Sequence, residues 1–279
     1  MHITKKILTV AAGSALVFTM ASCGGGQAGS TAGDTLTVGI KYDQPGLGQK
    51  VGEDYKGLDV DVARYVAKEL GFEGDKVIFK ETPSAQRETA IQGGQVALIF
   101  ATYSITDARK EKVSFAGPYF IAGQDLLVKA DNTDITGPDA MNGKTLCSVT
   151  GSTPAQKIKD EYATTVKLFE QDTYSKCVEA LVGGTVDAVT TDNVILAGFA
   201  AQPQYVGKLK VVGKPFSTER YGVGLKKGDT ELCNKVNAAL EKMISDGSWQ
   251  KAIDANVGPS GFKVDTSTNP PKPDPCAAA

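Results

Sequence analysis

The sequence predicts an α/β protein of two related lobes, and three observations predict it. Short apolar runs alternate with amphipathic stretches, the pattern restarts near residue 144, and a segment of the first half is echoed in the second at a fixed offset. With 279 residues, of which 41% are hydrophobic and 22% charged, the chain is long enough for one large or two medium cores.

From Thr35, the runs TLTVGI, KVIFKE and QVALIFAT read as strands, with DVDVARYVAKELG and SAQRETAIQGG as helices among them. That alternation argues a parallel, doubly wound sheet. After Tyr119 the chain passes through QDLLVK and restarts, with KTLCSVTG, TVKLFEQ and TVDAVTTD as strands and STPAQKIKDEY and TYSKCVEALVGG as helices. From Glu231 to Ile244, the residues Leu232, Val236, Ala239, Leu240, Met243 and Ile244 recur at helical spacing and predict core packing, as does the single Trp249 beyond the stop at Asp246-Gly247.

The echo pairs Ala90–Ala97 (AIQGGQVA) with Ala180–Asp187 (ALVGGTVD) at an offset of 90 residues, each reading as helix, Gly-Gly stop and strand. Carried outward, it pairs Ser84 with Tyr174 and Thr102 with Asp192. All four sit just before a helix or just after a strand, where open parallel sheets bind ligands.

The N-terminus reads as an export signal over residues 1–22. His2, Lys5 and Lys6 make a basic start, Ile7 to Met20 is an uncharged, mostly apolar run, and Met20-Ala21-Ser22-Cys23 follows. The Cys after small residues resembles the lipobox of bacterial lipoproteins, with Met20 where Leu is usual. This implies a lipidated Cys23 and a flexible tether over 23–34. Four cysteines remain. Cys147 and Cys177 suit a bridge contributing roughly 3.5 kcal/mol in the chain-entropy model, the alternative being two buried thiols. A Cys233–Cys276 pair is left open, because composition makes 263–279 (from KVDTSTNPPKPDPC) a disordered tail. The net charge of −2 and the lack of any basic stripe exclude a nucleic-acid partner as a first reading. The lack of His beyond residue 2 argues against a metal site, so no cofactor is expected.

Six fragments recur in order: Gly57–Ala63, Ser104–Arg109, Phe115–Tyr119, Gly143-Lys144, Gly151–Thr153 and Val186–Asp192. Together they resemble the family 3 extracellular solute-binding proteins of ABC amino-acid importers, over about Thr35 to Phe262. Tyr42–Gly46, PSAQRET, ATYSI, LCSVTGSTPAQK and EALVGG are similar in particular to the glutamate-binding lipoproteins of Gram-positive bacteria. The resemblance implies a two-lobed periplasmic-binding-protein type II (Venus-flytrap) fold with a hinge of two crossing strands. Lobe 1 would comprise 35–127 and 222–262, lobe 2 128–221, and the hinge Leu126–Lys129 and Arg220–Val223. It also implies a monomer held on the outer face of the cell membrane, handing its amino acid to the permease subunits.

An α-amino acid needs partners for its carboxylate, its ammonium and its side chain. The resemblance puts Arg109 at the α-carboxylate, where a guanidinium takes two oxygens at once, and Asp192 at the ammonium. Thr102, Ser104, Ser152 and Thr153 would add donors. For an acidic side chain further positive charge is needed. Arg87, with Ser84, is placed there by the resemblance, and Lys41 is also available. This gives the site an excess of two positive charges before glutamate binds. Tyr174 reads as a roof over the ligand or as packing, and Tyr42 likewise. An enzyme on the same scaffold, such as a lyase or dehydratase, finds no His, no nucleophile elbow and no paired acids except Asp59 and Asp61, which read as helix-start residues. A sensory subunit for the same amino acid is the other alternative.

Overall fold

The computed structural model describes residues 34–152, 154–161 and 165–276, so the export signal, Cys23 and Thr153 lie outside the described residues. In the first body, β1 (Leu36–Ile40) and a hairpin of β2 (Gln49–Val51) and β3 (Asp54–Lys56) lead to α1 (Leu58–Glu69). There follow β4 (Val77–Glu81), α2 (Arg87–Gln92), β5 (Leu98–Ile99), α3 (Asp107–Lys110) and β6 (Ser114–Ala122). The second body runs through β7 (Gln124–Lys129), β8 (Thr145–Val149), α4 (Pro154–Glu161) and β9 (Lys167–Gln171). It continues with α5 (Tyr174–Gly183), β10 (Ala188–Asp192), α6 (Asn193–Ala200) and β11 (Leu209–Val211). The chain then returns through β12 (Glu219–Leu225) to α7 (Thr230–Ser245) and α8 (Ser248–Asn256).

The strand orders are β4-β1-β5-β12-β6 in one sheet and β11-β7-β10-β8-β9 in the other. β4, β1 and β5 are parallel, as are β9, β8 and β10. The remaining strands pair antiparallel, so each sheet is mixed, not wholly parallel. The physical reason lies at the neck: β6 carries the chain out of the first sheet and β12 carries it back, so the two run in opposite directions. The change of sheet comes at Gly123, earlier than the expected hinge at Leu126–Lys129, because Gln124–Leu127 already pairs with Asp192–Val189 of β10. On the return, Arg220 and Tyr221 already pair with Ile121 and Phe120 of β6, which places the second crossing before β12.

Helix α1 shows how the pattern becomes a core. Leu58, Val62 and Val66 stand at i, i+4 and i+8 and are fully buried with Ala63 and Ala67. Each such side chain contributes about 1.5–3 kcal/mol on leaving water. On α7, Val236, Ala239, Leu240 and Met243 are buried as expected, while Leu232 and Ile244 are half-buried at the edges. Trp249 is buried and donates from Nε1 to the Tyr119 carbonyl at 2.8 Å.

Both disulfides form. Cys147–Cys177 ties β8 to α5 with Cα atoms 5.5 Å apart, and Cys233–Cys276 ties α7 to the C-terminal segment at 6.0 Å. The second bond corrects the expectation of a disordered tail for 263–276. Asn269 Oδ1 accepts from Ile121 N at 2.9 Å and its Nδ2 donates to Ile121 O at 3.0 Å, so one side-chain amide pairs with the β6 edge as a strand residue would. Asp274 accepts two hydrogen bonds of 2.7 Å from Arg220 Nη2 and donates its N–H to Gly117 O at 2.7 Å. Composition sees too few apolar side chains for order. The segment uses an open sheet edge and a covalent tie in place of apolar burial.

Candidate functional site

A narrow cavity of about 30 Å³ lies between the two bodies. The first body lines it with Ser84, Arg87, Thr102, Ser104 and Arg109, and the second with Ser152, Tyr174 and Asp192, so eight of the residues expected from sequence meet there. All four residues of the echo, Ser84, Tyr174, Thr102 and Asp192, are among them. The two halves of that repeat end in matching turns, with Gly94 and Gly184 at φ 65° and 78°, which direct each chain into the strand that ends at the cavity.

Two expected residues stand elsewhere. Lys41 is buried one layer behind the wall, with Nζ 3.5 Å from Ser84 Oγ and 5.9 Å from the Tyr174 ring centroid. Burial pushes it down to about 8. Tyr42 is not at the cavity: it packs against Tyr55 at 5.4 Å and donates to the Phe79 carbonyl at 3.1 Å, with the Lys50 ammonium 5.8 Å from its ring centroid. Of the two readings of Tyr42, the geometry favours packing over a place at the ligand. Sequence reasoning missed Gln44, Pro154, Thr191, Ile195 and Glu219, which also line the cavity. Gln44 lies within the Tyr42–Gly46 stretch and Thr191 beside Asp192, so proximity in sequence was an available signal; nothing local marked Glu219.

Arg87 opens α2 and Arg109 belongs to the short α3, whose start is fixed by Thr106 Oγ1 accepting from Arg109 N at 3.3 Å. Arg109 Nη1 donates to Ser104 O at 2.8 Å and its Nε lies 3.7 Å from Glu88 Oε1. Arg87 Nη1 donates to Ala101 O at 3.0 Å, but its buried Nε has no hydrogen-bond partner. No carboxylate among the described residues lies within ion-pair distance of Arg87, although the residue is only 3% exposed. Burial, and secondly the nearby Arg109, push the Arg87 guanidinium down to about 10.

Between the two arginines, Thr102 is the one non-glycine residue with positive φ, 45°, among the described residues. Such a conformation costs about 1–3 kcal/mol and persists only where the surroundings enforce it. Asp59 enforces it: its Oδ2 accepts from Thr102 N at 3.0 Å while its Oδ1 accepts from the Tyr119 hydroxyl at 2.6 Å. Asp59 is fully buried, and burial raises it to about 6. It does more than start α1, the role expected from sequence: it also holds the loop that forms the cavity floor.

On the opposite wall, Asp192 stands at the N-cap position of α6 yet makes no side-chain cap; Asn193 Oδ1 accepts from Val194 N at 2.9 Å instead. The Asp192 carboxylate is thus available to the cavity, with Oδ2 accepting from the Tyr221 hydroxyl at 2.6 Å. Burial, then the charge of Glu219, raise it to about 7. The charge balance departs from expectation, since Glu219 on the wall and Glu88 beside Arg109 offset the two surplus positive charges.

The bodies also touch outside the cavity. Asp43 Oδ2 of the first body accepts from Ser175 N at 3.1 Å and from Ser175 Oγ at 3.3 Å, at the start of α5. Gly151, at φ 77°, lies so close to Ala85 that a Cβ there would stand 2.5 Å from the Ala85 Cα. At Gly198 a Cβ would meet the Pro45 carbonyl oxygen at 2.3 Å. Both glycines permit the backbones of opposite bodies to approach.

The profile of the bacterial extracellular solute-binding proteins, family 3, matches residues 36–265. The chain is 47% identical over 266 residues to the glutamate-binding protein GluB of Corynebacterium efficiens, covering 90% of each chain. It is 36% identical to the glutamine-binding protein GlnH of Bacillus subtilis, over 78% of this chain and 79% of that one. Among solved structures, an ancestral arginine-binding protein bound to glutamine superposes with a TM-score of 0.75 at 36% identity, over 81% of this chain and 98% of that one. The solute receptor for L-cysteine of Neisseria gonorrhoeae gives 0.76 at 29% identity, over 84% and 94%.

Proposed function

The chain belongs to the bacterial extracellular solute-binding proteins of family 3, and on that premise we propose that it captures L-glutamate and delivers it, unchanged, to the permease of an ABC importer. Arg109 takes the α-carboxylate, Asp192 the ammonium, and Arg87 with Ser84 the side-chain carboxylate. The observation that carries the choice of glutamate is Arg87: a buried guanidinium with an unpartnered Nε and, among the described residues, no carboxylate within ion-pair distance. A buried charge without a counter-charge is costly, and an acidic guest supplies one where glutamine supplies none. Lys41 supports the same end of the cavity through Ser84. The name of the 47% identical relative supports the same ligand.

Because Arg109 and Asp192 lie on different bodies, one zwitterion ties the two together, and the ligand shifts an open–closed equilibrium toward the shut form. Lipidation of Cys23 would hold the protein at the membrane. Among the described residues no helix is long and apolar enough to cross one.

Calorimetric titration with L-glutamate, L-aspartate and L-glutamine tests the reading. One site per chain is expected, tightest for glutamate. Arg109→Ala should lose most binding of every ligand, whereas Arg87→Ala should weaken the acidic ligands selectively, by about 2–5 kcal/mol for glutamate. Equal affinity of the wild-type protein for glutamine and glutamate would remove Arg87 from the role given to it.

A further inference from the structure

We propose that Tyr103 is a positioning residue for ligand length: its ring sets the separation of the Arg87 and Arg109 guanidinium groups, and that separation favours glutamate over the shorter aspartate. The inference rests on the glutamate reading above. Both guanidinium carbons lie against this one ring, 4.3 Å from its centroid for Arg87 and 5.0 Å for Arg109. The two arginines come from different helices, yet each donates to a carbonyl close to Tyr103 in sequence, Ala101 for Arg87 and Ser104 for Arg109.

The ring itself has a built seat. It is fully buried, its hydroxyl donates to Glu88 Oε1 at 2.7 Å, and Phe115 meets it edge-on at 4.8 Å. Gly224 of β12 leaves the space for it, since a Cβ there would lie 2.7 Å from the ring Cε1. Glu88 also faces Arg109, so ring, acid and cation form one connected group.

Two like charges in a dry site repel, and flexible side chains would otherwise turn apart. A π-face gives each guanidinium a favourable place to rest without neutralising it. Glutamate and aspartate carry identical charges and differ by one methylene, so charge cannot separate them and spacing can. A single methylene is ordinarily worth about 10–200-fold in discrimination when the surrounding groups are held in place.

The test is calorimetric titration of the purified protein with L-glutamate, L-aspartate and L-glutamine, for the wild type, Tyr103→Phe, Tyr103→Leu and Gly224→Ala, with thermal melting to read folding. Tyr103→Phe keeps the ring and should hold the glutamate-to-aspartate ratio within about threefold. Tyr103→Leu should cost glutamate about tenfold more than aspartate, so that the ratio contracts by that factor. Should the Leu variant not fold, Gly224→Ala decides, because it displaces the ring without deleting it; the same contraction is expected. A ratio left unchanged in the deciding variant, with both ligands weakened equally, overturns the inference and makes the ring ordinary packing. A wild-type protein without preference for glutamate overturns the reading beneath it, and the inference too, and this failure is distinct because it appears before any substitution.

Discussion

The two walls of the cavity differ in how their charges are held. On the first body, Arg87 and Arg109 are fixed by carbonyls and by Glu88 and Tyr103 of that same body. On the second, Asp192 takes its hydrogen bond from Tyr221, a residue of β12 in the first sheet. The cationic wall is therefore held within one body, and the acid of the other wall is held by a residue of the first sheet. On the function proposed above, carboxylates would meet a wall held within one body, and the ammonium would meet an acid held by both.

The strongest way to break this comparison is at Asp192. Asp192→Asn should weaken every amino acid by about 2–5 kcal/mol, as for removal of one partner of a buried charge pair, while the protein still folds. Retained affinity by titration would mean that closure does not depend on this carboxylate. Next in size, Cys276→Ser releases the segment that bonds both crossing strands on the first body. It should cost about 2–4 kcal/mol in denaturant unfolding and leave affinity within about threefold, if the cationic wall is as self-contained as its contacts indicate.

The pH dependence separates the walls further. In the proposed role Asp192, at about 7, would have to be ionised to meet an ammonium, so binding would expel its proton in acid. Glutamate affinity should fall as pH drops below about 7, by at most about tenfold per unit, and Asp192→Asn should flatten the profile. For the ligand-free protein the folded state holds the protons of Asp59 and Asp192 more tightly than the unfolded state does. Their contribution to stability is full below the ordinary value of 3.8 and is lost as pH rises through about 6 and about 7 respectively. The smallest expected effect is at Asp43. Its substitution by Ala removes two hydrogen bonds between the bodies, outside the cavity, and should weaken all ligands by one common factor of about threefold. A factor that differs between ligands would assign Asp43 to recognition.

Much of this was legible in the chain. The offset of 90 residues marked four cavity residues without any knowledge of the sheets, because a repeated helix–glycine–strand unit repeats its strand-end positions too. Arg109 and Asp192 were named from the family resemblance and stand on opposite walls of one cavity. Tyr42 stayed between two readings because an aromatic beside a loop looks the same in sequence whether it turns inward or packs on Tyr55. Glu219 was missed because it reaches the cavity from a crossing strand that follows Asp192 by 27 residues, and only the return of that strand beside β6 brings it there.

By itself the sequence determined the α/β alternation, the echo at 90 residues, the family and the identity of the principal charges, since periodicity and motif are properties of short segments. Tertiary structure alone decided where the sheets exchange strands, that Asn269 and Asp274 close the β6 edge, and that Glu88 and Glu219 offset the surplus positive charge. It also left Arg87 as the cavity guanidinium without an acid within ion-pair distance among the described residues. Each of these depends on distances between residues far apart in the chain. Burial and charge pairing act through space, and a linear pattern carries no measure of that.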